Sequence, residues 1–335
     1  MSNNAKFSIV LPAYNCEKYI AQALDSLVNQ DTSDSYEVII TDDGSTDTTG
    51  TICDTYAEKY QFIHVNHTDN HGPSHARNVA LDQCTGEYIL FCDADDVVSP
   101  QLVSVVAKAV EVYGRPDIIV YRYFMNTEHE GSRIYPKDGW PMYDVNAMKV
   151  SDGVLADGED LCARILTDPR VQGFSHNKAV RHDVCRDIRY DEELSLCEDE
   201  HYFMRIAASR QNMKVCYINY YLYYYINRFN LRLTQDKNNL YDEKGMYAYV
   251  STREKMLTIG NLTAKIISII KGEIYQASVI ALWLMEVNIS DEARQTLRRY
   301  LREYAYSYYF EFPIPVFKKV KTLIKHLLVL LHIHK

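Results

Sequence analysis

A chain of 335 residues that is 47% hydrophobic and 24% charged has ordinary globular proportions, with room for one large domain with extensions or for two domains. Its net charge of −9 argues against a general nucleic-acid binder, which needs a basic surface. Eight cysteines with no C-x-x-C pair argue against a zinc or thioredoxin-like site, and point to reduced, buried thiols in a cytosolic protein.

The start, "MSNNAKFSIVLP", has no basic segment followed by a long apolar one, so no signal peptide is read there. Residues 7–12, "FSIVLP", predict a buried strand. Residues 16–30 carry apolar positions at helical spacing (Tyr19, Ile20, Ala23, Leu24, Leu27, Val28). A strand over 36–41, a helix over 47–60, a short strand over 62–66 and a helix over 73–84 follow, the last with proline in its first turn. "YILFC" (88–92) is the fourth strand, 101–113 the next helix and 117–123 a fifth strand. This rhythm predicts an α/β fold, a mostly parallel sheet with helices on both faces. Residues 126–156 are polar and interrupted by Gly and Pro, and read as an excursion or edge element. Residues 215–229 form an aromatic, strand-like run. From about 238 the pattern is helical, over 239–257, 262–287 and 290–307, with Ser290 before Asp291 and Glu292 as a helix start. No run reaches about 18 apolar residues, so no spanning helix is predicted.

Ligands of open parallel sheets bind beyond the carboxyl ends of the strands. Three polar clusters fall there: "PAYN" (12–15), "TDDGSTD" (41–47) and "DADD" (93–96). Asp93, Asp95 and Asp96 repel one another, so either a cation compensates them or water reaches all three in a solvated turn that leads into the helix at Ser99. Divalent Mg²⁺ or Mn²⁺, which prefer carboxylate, phosphate and water oxygens, suit such a cluster.

These clusters, together with "NHGPSHARNVALDQCTGEYILFCDADD", closely resemble over residues 6–122 the successive motifs of a family 2 inverting glycosyltransferase of the GT-A (Rossmann-like) fold. The resemblance extends more loosely to about 235 through "SHNKAVRHDV", "CEDEHYFMRIA" and "YYYINRFNLRLT". It implies a glycosyltransferase domain over 1–235, with a nucleotide-binding half at 6–122 and an acceptor-side half at 123–235, then a helical C-terminal region over 236–335.

It also implies roles for residues. Asp95 is the metal ligand for Mn²⁺ or Mg²⁺; Asp93 reaches the ribose, the sugar or the metal; Asp96 orients the sugar or starts the following helix. Pro12, Ala13 and Tyr14 contact the nucleotide base, and Asp42 or Asp43 accepts its ring N–H. Arg77 contacts the nucleotide or diphosphate, unless it is simply a surface arginine; Asp47, by its position rather than by the resemblance, reads as charge at a helix N-terminus. Lys178 or Arg228 neutralises the diphosphate, with Asn177 beside Lys178 on the acceptor side. Asp199 in "CEDEHYF" is the base that deprotonates the acceptor hydroxyl, where Cys197 replaces the family's usual glycine; His201 reads as structural.

The implied partners are a nucleotide-sugar donor, of UDP type first, and a lipid-linked or growing surface glycan of the capsule or exopolysaccharide kind. A haloacid dehalogenase-type phosphatase also fits "DADDV", but leaves "TDDGSTD" unexplained and would place its aspartate after the first strand. A non-catalytic glycosyltransferase-like subunit of a membrane glycan-assembly complex would not need all of Asp93, Asp95 and Asp199. The last 23 residues (313–335) hold five lysines, three histidines and no acid among Leu, Ile and Val. They read either as a peripheral anchor on the inner membrane face of a cytoplasmic protein, or as a docked helix or oligomer contact.

Overall fold

The computed structural model describes residues 6–127, 139–227, 243–285, 290–311, 319, 321–323 and 325–326. The first half runs β1 (Phe7–Ala13), α1 (Ile20–Val28), β2 (Tyr36–Asp43), α2 (Thr49–Lys59), β3 (Ile63–Thr68), α3 (Pro73–Gln83) and β4 (Tyr88–Phe91). It continues through a two-residue β5 (Val97–Val98), α4 (Leu102–Val112) and β6 (Ile118–Thr127). The second half adds β7 (Gly153–Ala156), α5 (Gly158–Thr167), β8 (Lys178–Arg181), the short α6 (His182–Cys185), α7 (Glu198–Ala208) and β9 (Val215–Asn227). Three long helices follow, α8 (Glu243–Leu257), α9 (Ala264–Met285) and α10 (Asp291–Tyr306). They begin and end close to the predicted limits, and Ser290 caps α10 by accepting from the Ala293 N–H at 3.2 Å.

The sheet order is β3-β2-β1-β4-β8-β6-β9-β5, with β7 also paired to β9. Strands β3, β2, β1 and β4 are parallel, as the alternating pattern predicts. The rest is not. β8 lies antiparallel between β4 and β6, β6 and β9 are parallel, and β5 and β7 meet β9 antiparallel. The sheet is therefore mixed rather than mostly parallel. A strand from the second half of the chain is inserted beside β4, which a reading of consecutive elements could not reveal.

Helices cover both faces. One core packs α1 and α4 against β1, β2 and β4; the other joins α3, α5 and α7 to α8, α9 and α10 across the sheet. Strands buried on both faces read as unbroken apolar runs, hence "FSIVLPA" in β1. Its polar exception, Ser8, donates to the buried Glu37 carboxylate at 2.6 Å and accepts from the Gly86 N–H at 2.8 Å.

The cysteines are all free, and only Cys197 is not fully buried. Among the described residues no helix is long and apolar enough to cross a membrane. Most of 313–335 and Arg228 lie outside the described residues. The described part of that tail packs on the protein: Tyr308 donates to the Thr322 hydroxyl at 2.7 Å, and the His326 imidazole meets the Tyr275 hydroxyl.

Candidate active site

The carboxyl ends of β1, β2 and β4 converge, and register sets Ala13 beside Asp42. The two loops that follow β1 and β2 are laced together. Asn15 accepts from the Thr46 N–H at 2.8 Å and its own N–H reaches the Ser45 hydroxyl; Thr48 donates to Glu17 through both its N–H and its hydroxyl. On this wall Pro12 is half-buried, Ala13 is buried and Tyr14 is exposed, presenting an aromatic face to solvent. Asp47 accepts from the Thr49 N–H at the start of α2, the helix-end role predicted for it.

Asp42 and Asp43 are both buried. Asp43 accepts the Gly72 and His71 N–H groups at 2.7 and 3.0 Å, which fixes the loop entering α3. Gly72 sits there at φ +95, a conformation that only glycine adopts without strain. Asp42 accepts from the Ser45 N–H and faces His67 at 3.0 Å, whose other ring nitrogen faces Asp54. The Asp54 and Asp42 carboxylates hold the His67 imidazole above its ordinary pKa.

The acids after β4 have three different surroundings. Asp93 is part-buried and receives Arg77 Nη2 at 3.1 Å. Asp95 is half-exposed at the turn. Asp96 is 1% exposed, so the solvated-turn reading fails for it. It accepts the Tyr223 hydroxyl at 2.7 Å and the Ile226 N–H at 2.8 Å, tying the turn to β9. Burial, then the charges of Asp95 and Asp93, push its carboxyl well above the usual range.

Opposite this turn stands the N-terminus of α7. Asp199 Oδ1 accepts the Ser175 hydroxyl at 2.9 Å, and Ser175 is itself 2.6 Å from the buried Tyr190 hydroxyl. Arg77 joins the two sides. Its guanidinium, 6% exposed, meets Asp93, Glu198 at 3.4 Å and Asp199 at 3.5 Å, and lies over the Tyr190 ring. Burial opposes its charge, but Asp199 and Asp93 hold it firmly protonated. Burial and the neighbouring Asp199 charge push the Glu198 carboxyl up to about 7.

Arg77, expected at the nucleotide or diphosphate, is a buried cation shared by three carboxylates, so the surface-arginine reading fails. One expectation is corrected here. Lys178 is 0% exposed, and its ammonium is consumed by the Val171, Gln172 and Phe174 carbonyls and the Asn177 side chain at 2.6–3.3 Å. It pins the loop 171–177, Asn177 included, and does not face a donor phosphate. Burial also lowers its pKa to about 7. His201 is buried on α7 and kept neutral by burial, with its pKa down to about 4, in line with a structural role.

Sequence reasoning missed Ser175, Tyr190, Tyr223 and His176. His176 is 2% exposed, lies 4.0 Å from Asp93, and stacks on Tyr223 at 4.4 Å. No spacing signal links these residues to the acidic motifs; the turn before strand β8, the segment between α6 and α7 and the end of β9 bring them in. Donor atoms of Asp93, Asp96 and His176 lie within 4.8 Å of one another. These three could hold a metal ion, and their two carboxylates are of the kind Mn²⁺ or Mg²⁺ prefers.

The profile of glycosyl transferase family 2 matches residues 8–184, more than half of the sequence, and the chain belongs to that family. It is 28% identical over 259 residues to glycosyltransferase GlyA of Streptococcus pneumoniae, covering 76% of this chain and 34% of that protein. It is 29% identical over 222 residues to the poly(ribitol-phosphate) β-N-acetylglucosaminyltransferase TarS of Staphylococcus aureus, covering 65% and 35%. The chain thus spans about a third of the length of these relatives. Its fold resembles that of S. aureus TarS 1–349 in complex with UDP-GlcNAc, with TM-score 0.60, 23% identity, and coverage of 90% of this chain and 81% of that one. It also resembles the Pyrobaculum calidifontis mannosyltransferase PcManGT in complex with GDP-Man and Mn²⁺, with TM-score 0.54, 16% identity, and coverage of 98% and 88%. The GT-A-like fold predicted from sequence is borne out, and the phosphatase reading falls away.

Proposed function

We propose that this protein transfers a sugar from a nucleoside-diphosphate donor, UDP-linked in the first instance, to an acceptor hydroxyl by one inverting displacement. The observation that carries the reading is the facing pair of acidic clusters, Asp93–Asp96 and Glu198–Glu200, joined by Arg77 beside an exposed Tyr14 wall. The base of the nucleotide lies against Pro12, Ala13 and Tyr14, with Asp42 or Asp43 at its ring N–H. Asp95 and Asp93 hold Mn²⁺ or Mg²⁺, which when bound offsets the charge that builds on the departing diphosphate. Arg228, whose place in the structure is not described, is kept as a diphosphate contact from sequence alone.

Asp199 is the base. Ser175 and Arg77 both contact its Oδ1, which orients the carboxylate and leaves Oδ2 to take the acceptor proton. The acceptor is a lipid-linked or growing surface glycan, a reading supported by TarS, whose name specifies poly(ribitol-phosphate). A peripheral contact with the inner membrane face through 313–335 stands beside this as part of the same proposal.

The test is a melting-temperature panel with UDP, GDP, CMP and ADP, each with and without Mn²⁺, since a ligand of the folded state stabilises it by mass action. One nucleoside diphosphate raises the melting temperature, Mn²⁺ enlarges the rise, and Asp95→Ala abolishes the enlargement. No rise with any nucleotide would contradict the donor site.

A further inference from the structure

The segment that delivers Asp199 is held from outside the sheet. Residues 186–197 cross from α6 to α7 with no helix or strand, and end at Cys197 with φ +58. Such a stretch has no ladder of its own, so tertiary contacts must fix it. Helix α3 supplies some of them, with Asn78 bonding both the carbonyl and the N–H of Tyr190, and helix α8 supplies others at successive points. Lys255 reaches Asp191 at 2.8 Å and Glu193 at 2.9 Å, and the Thr252 hydroxyl donates to the Leu196 carbonyl at 2.7 Å. Arg253 pairs with Glu200, the residue after Asp199, at 2.6 Å.

These grips are unequal. Glu193 is 85% exposed, so water screens its pair with Lys255. Arg253 is 3% exposed, and its Nε also donates to Glu273 of α9 at 2.6 Å while the guanidinium lies over the Tyr249 ring at 4.4 Å. One guanidinium thus meets two part-buried carboxylates, Glu273 at its Nε and Glu200 at an Nη, a span that the single ammonium of a lysine does not provide. From the other side Gly173 presses on the same residue: a Cβ there would stand 2.4 Å from Glu200 Cα. The first turn of α7 is clamped between the loop that carries Ser175 and the C-terminal helices.

We infer that Arg253 is a positioning residue for the transfer reaction: through Glu200 it sets the first turn of α7, and so the aim of the Asp199 carboxylate. The inference rests on Asp199 being the base. Ser175 and Arg77 hold the carboxylate at one oxygen, whereas Arg253 holds the side chain of Glu200, the next residue of the same turn. Both are needed, because a displacement of about 1 Å at a reacting group costs on the order of 10²-fold in rate.

The experiment uses the full chain. Arg253→Lys keeps the charge and loses the fork; Thr252→Val removes the neighbouring grip and serves as the second variant. Turnover is read as nucleotide release from the sugar nucleotide selected by the melting panel, and UDP affinity is read by calorimetry. Arg253→Lys lowers kcat about tenfold with UDP affinity and donor KM within about twofold, and Thr252→Val lowers the same parameter less. An unchanged kcat in folded Arg253→Lys overturns the inference, as does a proportional fall of kcat and UDP affinity. Should Arg253→Lys not fold, the same split in Thr252→Val decides. Asp199→Asn measured alongside separates the two readings. Turnover that survives in Asp199→Asn refutes the base assignment, whereas an inactive Asp199→Asn with a fully active Arg253→Lys refutes the positioning role alone.

Discussion

Asp93, Asp95 and Asp96 after β4, and Glu198, Asp199 and Glu200 opening α7, are two runs of crowded acids that the fold treats in opposite ways. The first is divided by depth: Asp96 is sunk against Tyr223 and the Ile226 N–H, Asp93 is shared with Arg77, and Asp95 is left half-exposed. The second is divided by cation: Glu198 and Asp199 share Arg77 from the sheet side, and Glu200 takes Arg253 from the C-terminal side. One cluster therefore keeps a half-exposed carboxylate at its turn. The other is tied at both ends, as a group that must be aimed should be. Like charges are tolerated in each case because individual members are given different partners, not because water reaches them all.

Removing the cation that the two clusters share breaks the comparison most severely. Arg77→Met strands three carboxylates and costs about 3–5 kcal/mol, measured by denaturant unfolding, with a smaller loss for Arg77→Lys. Gly173→Ala drives a methyl into Glu200 and costs about 1–3 kcal/mol by the same measurement, with a fall in kcat because the second cluster alone is displaced. Cys197→Gly relieves the left-handed backbone before α7 and gains about 1 kcal/mol. The smallest effect concerns pH. Glu198 titrates higher in the folded protein than its ordinary value of 4.5, so the stability it contributes is present below pH 4.5 and is lost as pH rises through about 7. Glu198→Gln abolishes that loss, and melting curves show the variant gaining on the wild type between pH 4.5 and 7.

The first cluster was legible in the sequence because it lies in a region of local rules. Each strand is followed by its helix, and the acids sit where the strand "YILFC" stops. Motif order then identified the family. The second half obeys longer-range rules. β8 enters between β4 and β6 from about 90 residues downstream of β4, and with it come Ser175, His176 and the buried Lys178. Lys178 had the right chemistry for a phosphate contact, yet three backbone carbonyls claim it. Arg77 stands out in the sequence as a candidate, but its partners Glu198 and Asp199 lie 121 and 122 positions away, beyond any spacing argument. Cys197 was flagged as a departure from glycine, and its positive φ shows why glycine is favoured there.

Asp199→Asn tests the role of the second cluster most directly, with transfer to acceptor and donor affinity measured on the same preparation. The amide cannot take the acceptor proton, so turnover falls at least about 10³-fold, while UDP and Mn²⁺ bind as they do to the wild type. Retained turnover, or donor affinity lost together with turnover, would contradict the role of Asp199 as the base.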